Sequence, residues 1–273
     1  MATSSETPIP TSPPNPAGTE PTAPAPPILG IDIGGTGIKG APVDLEHGVL
    51  TQERVRVDTP KPSTPEALAE VVAHIAEQFV GVTGAGPIGI TFPAVVKSGV
   101  TKTAANVDHA WIDCDAAALF AEATGRQVRV INDAQAAAMA EVHYGAVKGH
   151  RGVVLMLTFG TGIGSGLVID GRSVEGVEFG HLEVDGDDGE KLAAANVRDE
   201  LDLSWKEWAK RVDKYIHRLE TVFWPDVIIV GGGVSEKADK WVPRLTTRTP
   251  IVVAELHNEA GIVGAALATR TDR

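Results

Sequence analysis

Short apolar runs broken by glycines alternate with longer stretches of helical periodicity along most of this chain. Residues 28–33 form an apolar, β-branched run, and residues 38–43 form a second, with Gly34, Gly35 and Gly37 between them. This pattern predicts a hairpin around a glycine turn. Residues 49–57 alternate apolar and polar positions and predict a third antiparallel strand. Thr64 and Pro65 then open a helix to about residue 80, with Leu68, Val71, Val72, Ile75 and Phe79 on its apolar face. Residues 87–92 read as a strand closed by Pro93, residues 101–111 as irregular and residues 115–124 as a helix. A further strand over 128–131 runs into Asn132 and Asp133, and a run of strong helix formers follows to Glu141.

The first motif then recurs. Residues 152–158 predict a strand, residues 160–166 a glycine turn and residues 167–169 a returning strand. An amphipathic helix over 204–223, a buried strand over 226–230 that enters Gly231, Gly232 and Gly233, and an Ala-rich helix over 259–270 complete the chain. Two α/β halves that each open with a hairpin around glycines predict an internal duplication with a cleft between the halves. The expected division is a Pro/Thr/Ser-rich tail over 1–27, a small lobe over 28–134 and a large lobe over 135–273. The helix at 259–270 is placed to pack back on the small lobe.

Composition narrows the classes. With 273 residues and 43% apolar positions the chain can build a full core. A net charge of -12 argues against a general nucleic-acid binder. The single Cys114 allows no intrachain disulfide, which fits a reducing compartment. No apolar run approaches the ~18 residues of a membrane span. The N-terminus lacks the basic region and apolar core of a secretory signal, so the cytoplasm is the expected location. Residues 1–27 have too few apolar positions to offset ordering and are expected to be disordered.

Three stretches carry candidate chemistry. Asn132 and Asp133 fall where a strand ends and a helix begins, the place where α/β sheets present groups to ligands. By themselves they also fit a helix cap. As a site, Asp133 would be the base, with a pKa near ~3.9 and therefore ionised at neutral pH, and Asn132 would hold substrate. The glycine turns at Asp32, Gly34, Gly35, Thr36, Gly37 and Lys39 and at Thr158, Gly160, Thr161 and Gly162 can bring consecutive backbone N–H groups onto an anion. Two such turns facing each other would clamp a phosphate chain. Asp32 is placed to hold Mg²⁺ through water, and Lys39 offers a compact cation. Neither turn is a Walker A sequence or a dinucleotide fingerprint. Glu178 and His181 lie around glycines in a predicted loop and can hydrogen-bond a vicinal diol. The acidic residues 185–190 read as a solvated loop. Lys237, Lys240, Arg244 and Arg248 form a basic stretch that, if helical, would place much of its charge near one face, though Pro243 interrupts it; it reads either as a guide for a polyanion or as a solvated basic surface.

Taken together, DIGGT at 32–36, INDA at 131–134, FGTGIG at 159–164, EFGH at 178–181 and IVGGG at 229–233 resemble the ROK family of sugar kinases and repressors, within the actin-like ATP-binding superfamily. The resemblance covers essentially residues 28–269 and is closer to the polyphosphate-using glucokinase and glucomannokinase branch. It implies a two-lobed actin-like (ribonuclease H-like) α/β fold with a central cleft. It also implies phosphoryl transfer from inorganic polyphosphate, ATP or both to the 6-hydroxyl of glucose, with mannose as an alternative acceptor. Asp133 matches the family's general base. Asn132, Glu178 and His181 match sugar ligands, Glu190 and Asn106 align more loosely with the sugar site, and Gly231, Gly232 and Gly233 match the nucleotide-side loop. Mg²⁺ and a homodimer are implied too. The family's Cys-rich zinc motif is missing from residues 184–191, so zinc is not expected. No helix-turn-helix precedes residue 28, which argues against the repressor members. An ATP-only kinase for another hexose, a non-catalytic sugar sensor and an actin-like ATPase module are the competing expectations.

Overall fold

The computed structural model describes residues 25–105 and 107–270. The expected tail therefore lies almost wholly outside the described residues, and so does Asn106. Among the described residues no helix is long and apolar enough to cross a membrane.

Two mixed sheets share one plan. In the first, β1 (Ile28–Ile33) pairs antiparallel with β2 (Gly37–Asp44), whose outer edge carries β3 (Val49–Leu50) and β4 (Val55–Asp58). The helix α1 (Pro65–Thr83) leads to β5 (Ile88–Phe92), parallel to β1. A small hairpin of β6 (Val96–Lys97) and β7 (Val100–Thr101), then α2 (Ala116–Thr124), lead to β8 (Val128–Asn132), parallel to β5. After α3 (Asp133–His143) the second sheet repeats the order. The strands β9 (Val153–Phe159) and β10 (Ile163–Ile169) form the hairpin, extended by β11 (Arg172–Val174). Next come the two-stranded β12 (Glu183–Val184) and β13 (Asp187–Asp188), α4 (Gly189–Ala193), α5 (Ala195–Glu200) and α6 (Trp205–Val222). Parallel to β9 runs β14 (Val227–Gly231), and β15 (Ile251–Val253) runs parallel to β14. The last helix is α7 (Ala260–Ala268).

Local signals explain the helix ends. Thr64 caps α1 through a hydrogen bond from the Ala67 N–H, with Pro65 in the first turn. Ser204 and Glu207 form a reciprocal capping box at α6. Asn132 caps α3 by accepting from the Gln135 N–H at 3.1 Å.

The structure corrects four expectations. The strand over 49–57 is two short strands, because residues 51–54 turn away between them. The glycine turn expected over 160–166 is only residues 160–162, since Ile163 already pairs with Phe159. The irregular stretch at 101–111 ends in a 3₁₀ turn, His109–Trp111, which seats the fully buried Trp111. Residues 185–190 are a hairpin and a helix start rather than a free loop.

The packing depends on small residues. Between the sheets lie α3 and α7, in a core with Ile131, Met156 and Ile229. Almost every residue of α3 is buried, which a helix this rich in alanine permits on all sides. Glycines let backbones meet directly. A Cβ on Gly89 of β5 would overlap the Ala265 carbonyl of α7, and one on Gly264 would overlap the Ala136 carbonyl of α3. Outside, α1 and α2 cover the first sheet, and α6 covers the second with Trp208 and Trp241.

A methyl group at Gly89 is therefore expected to destabilise the fold by about 2–3 kcal/mol through overpacking, read as a lower denaturant midpoint. Gly81 in α1 has open space around its Cα. Gly81→Ala should leave stability unchanged or raise it by up to ~1 kcal/mol. Equal effects at the two positions would contradict the packing described.

Candidate active site

Strand register assembles the cleft floor. In the first sheet Asp32 is level with Lys39 on one side and with Thr91 on the other. Phe92 is level with Asn132. In the second sheet Thr158 is level with Gly231. The carboxyl ends of the parallel strands β1, β5, β8, β9 and β14 thus converge on a cavity of about 280 Å³ lined by Asp32, Lys39, Asp133, Thr158 and Gly231–Gly233. Ser235, Glu236, His257 and Asn258 also line it, none of which the sequence singled out.

Asp32 accepts a hydrogen bond from the Thr91 hydroxyl at 2.7 Å on one oxygen. Its other oxygen lies 3.9 Å from Lys39 Nζ. This carboxyl group lines the cavity, and with one oxygen not committed to a hydrogen bond it fits a hydrated divalent cation. The start of α7 closes on the same group: a Cβ on Gly261 would lie 2.9 Å from Asp32 Cγ.

Asp133 is the first residue of α3. Its Oδ1 accepts from the Ala134 N–H at 2.8 Å and from Asn132 Nδ2 at 2.9 Å. The carboxyl group is open to the cleft, yet protein encloses it on its other sides, and the enclosure dominates its titration. Desolvation, reinforced by the Asp32 charge, raises its pKa to about 6 against the hydrogen bonds that stabilise the anion. The expectation of an ordinary aspartate is corrected accordingly. Asn132 makes the helix cap that the sequence also allowed. Its Nδ2 donates to the Ala94 carbonyl at 3.2 Å as well as to Asp133, and its Oδ1 holds the helix cap. The amide is thus committed to positioning, and only its oxygen retains a free lone pair for a sugar hydroxyl.

The second glycine turn is closed by the Gly160 N–H donating to the Gly162 carbonyl at 2.9 Å. The first is closed by the Gly34 N–H donating to the Gly37 carbonyl at 3.1 Å. At its tip Gly35 and Thr36 are exposed. Two side chains brace this first turn from outside it. Thr59 Oγ1 donates to the Gly34 carbonyl at 2.6 Å, and Arg56 Nη2 donates to the Thr36 carbonyl at 3.1 Å. Arg56 lies in β4 and Thr59 just beyond it, and no motif in the sequence marked either one.

On the opposite side, Glu178 precedes a 3₁₀ turn, Phe179–His181. Glu178 is partly open to solvent, yet desolvation by the surrounding protein raises its pKa; the His181 ring opposes this, and the Asp133 and Glu190 charges add to it. His181 Nδ1 lies 3.4 Å from Asp188 and 4.0 Å from Glu190. Glu190 also accepts from the Ile163 N–H at 3.3 Å, so it touches both the sugar-side turn and the second glycine turn. His181, Asp188 and Glu190 each bring a ligand atom within 4.8 Å of the others, a set that could hold a cation without cysteine. Asp188 was hidden in what read as a solvated loop.

The basic stretch does not form one helical face. A 3₁₀ segment, Gly233–Lys240, is kinked at Lys237, and the buried Trp241 separates it from Val242–Arg244. The Arg248 guanidinium stacks 3.5 Å over the Trp224 ring. Lys237 and Lys240 remain exposed.

A family model described as "ROK family" matches residues 28–196. A polyphosphate glucokinase of Mycobacterium tuberculosis is 49% identical over 245 residues, covering 89% of this chain and 91% of its own length. An inorganic polyphosphate/ATP-glucomannokinase from Arthrobacter sp. strain KM is 50% identical, with a TM-score of 0.84, covering 89% of this chain and 98% of its own. A ROK family glucokinase from Streptomyces griseus, solved with glucose and AMPPNP, is 25% identical with a TM-score of 0.75, covering 90% of this chain and 100% of its own.

If Asp133 must be ionised to work, kcat/KM for the acceptor should fall as pH drops through about 6, the raised value given above. Stability should run the other way. A carboxyl group with a raised folded pKa takes up a proton on folding, so its contribution declines as pH rises through that range. A pH–rate profile whose acid limb falls near ~4, the range of an ordinary carboxyl group, would contradict the desolvated site.

Proposed function

The chain belongs to the ROK family, and from that premise we propose that it transfers a terminal phosphoryl group from inorganic polyphosphate or ATP to the 6-hydroxyl of glucose. The observation that carries this is the position of Asp133. Its charge is felt by Glu178 on the sugar side, and it feels Asp32 on the phosphate side. An acceptor hydroxyl resting on Asp133 would therefore face a donor phosphate in the cavity lined by Asp32, Lys39, Thr158 and Gly231–Gly233.

Phosphoryl transfer passes through a loose transition state, so positioning and charge stabilisation dominate. The sugar diol rests on Glu178 and His181, with Glu190 behind them. Asp133 orients the 6-hydroxyl and takes its proton as the new O–P bond forms. A pKa of about 6 suits this role: the group is mostly ionised at neutral pH, yet it is a stronger base than a solvated aspartate. Asn132 keeps the carboxyl group aimed. On the donor side the turn amides and Lys39 meet the phosphate oxygens. Mg²⁺ held at Asp32 would supply further neutralisation of phosphate charge. Mannose as a second acceptor, the homodimer and the cytoplasmic location belong to the same proposal.

Incubation with glucose and polyphosphate in the absence of ATP is expected to yield glucose 6-phosphate. Failure with both polyphosphate and ATP would refute the proposal. Asp133→Asn should fold, bind glucose and lose at least ~10²-fold in turnover, the scale of general acid–base effects. Near-normal turnover would remove Asp133 from the role of base.

A further inference from the structure

The cavity that holds Asp32, Asp133 and Gly231–Gly233 has further lining residues. Ser235 and Glu236, just after Gly231–Gly233, and His257 and Asn258, just before α7, all line it. Met156 and Ala254 contribute apolar surface to the same cavity. Asp32 and Asp133 have assigned tasks in this cavity. Glu236 has none: it is exposed, and among the described residues it makes no ion pair and no side-chain hydrogen bond. Even Lys237 and Lys240, on the same 3₁₀ segment, do not pair with it.

A carboxylate can only accept hydrogen bonds. A nucleoside offers it hydroxyl and amine donors and can rest its base on apolar surface. A phosphate chain in the same place offers only acceptors and negative charge. We propose that Glu236 is a specificity-determining residue that sorts donors, favouring a nucleoside triphosphate over polyphosphate in this part of the cavity. This rests on the donor reading given above, in which both donors reach the same glycine turns.

The test is the affinity for each donor, measured by calorimetry without glucose and by KM at saturating glucose, in wild type and in Glu236→Gln. We expect polyphosphate to bind about three- to fivefold more tightly and ATP about three- to fivefold more weakly in the variant, the range of one exposed charge. The polyphosphate effect should shrink in high salt, as a screened charge requires. Glu236→Lys should extend both shifts. Donor affinities that do not move, or that move together, would overturn the inference. Absence of turnover with either donor would instead refute the proposed activity, while the binding ratio would still decide the role of Glu236.

Discussion

The Asn132 side chain joins three parts of the molecule that could otherwise move apart. It caps α3 through the Gln135 N–H, reaches the Ala94 carbonyl after β5, and holds the Asp133 carboxyl group. The helix so anchored is buried on nearly all sides between the two sheets, where glycine-to-backbone contacts leave it little freedom. A carboxylate on the first turn of such a helix is therefore held as firmly as the core itself. In the proposed role that anchoring would matter, because a base misplaced by about an ångström loses much of its effect.

The cleft gathers carboxylates although its proposed donor is an anion. Asp133 feels the Asp32 charge, Glu178 feels those of Asp133 and Glu190, and desolvation raises the pKa of Asp133 and Glu178. In the proposed reaction, Glu178 and Glu190 would accept hydrogen bonds from sugar hydroxyls. On the donor side of the proposed reaction, Lys39, backbone N–H groups and a cation held at Asp32 would meet the charge. Glu190 ties the two sides together, since one carboxyl group neighbours His181 and accepts from the backbone after the second glycine turn.

Much of this was legible in the sequence. Periodicity and glycine placement located both hairpins and the strand that ends at Asn132, because those signals are local. What remained hidden depends on tertiary contact. Thr91 and Asp32 meet only through the register of β1 and β5. The raised pKa of Asp133 arises from enclosure that no local motif encodes. Asp188 read as solvated because its partner, His181, is brought to it by a two-stranded hairpin. The basic stretch failed as a helical face because the buried Trp241 interrupts it.

The most direct test of the central claim is a structure of the complex with glucose. The account predicts the 6-hydroxyl within about 2.6–3.2 Å of Asp133, the range a general base requires, with ring hydroxyls on Glu178 and His181. Glucose bound in the cleft with its 6-hydroxyl directed away from Asp133 would contradict it.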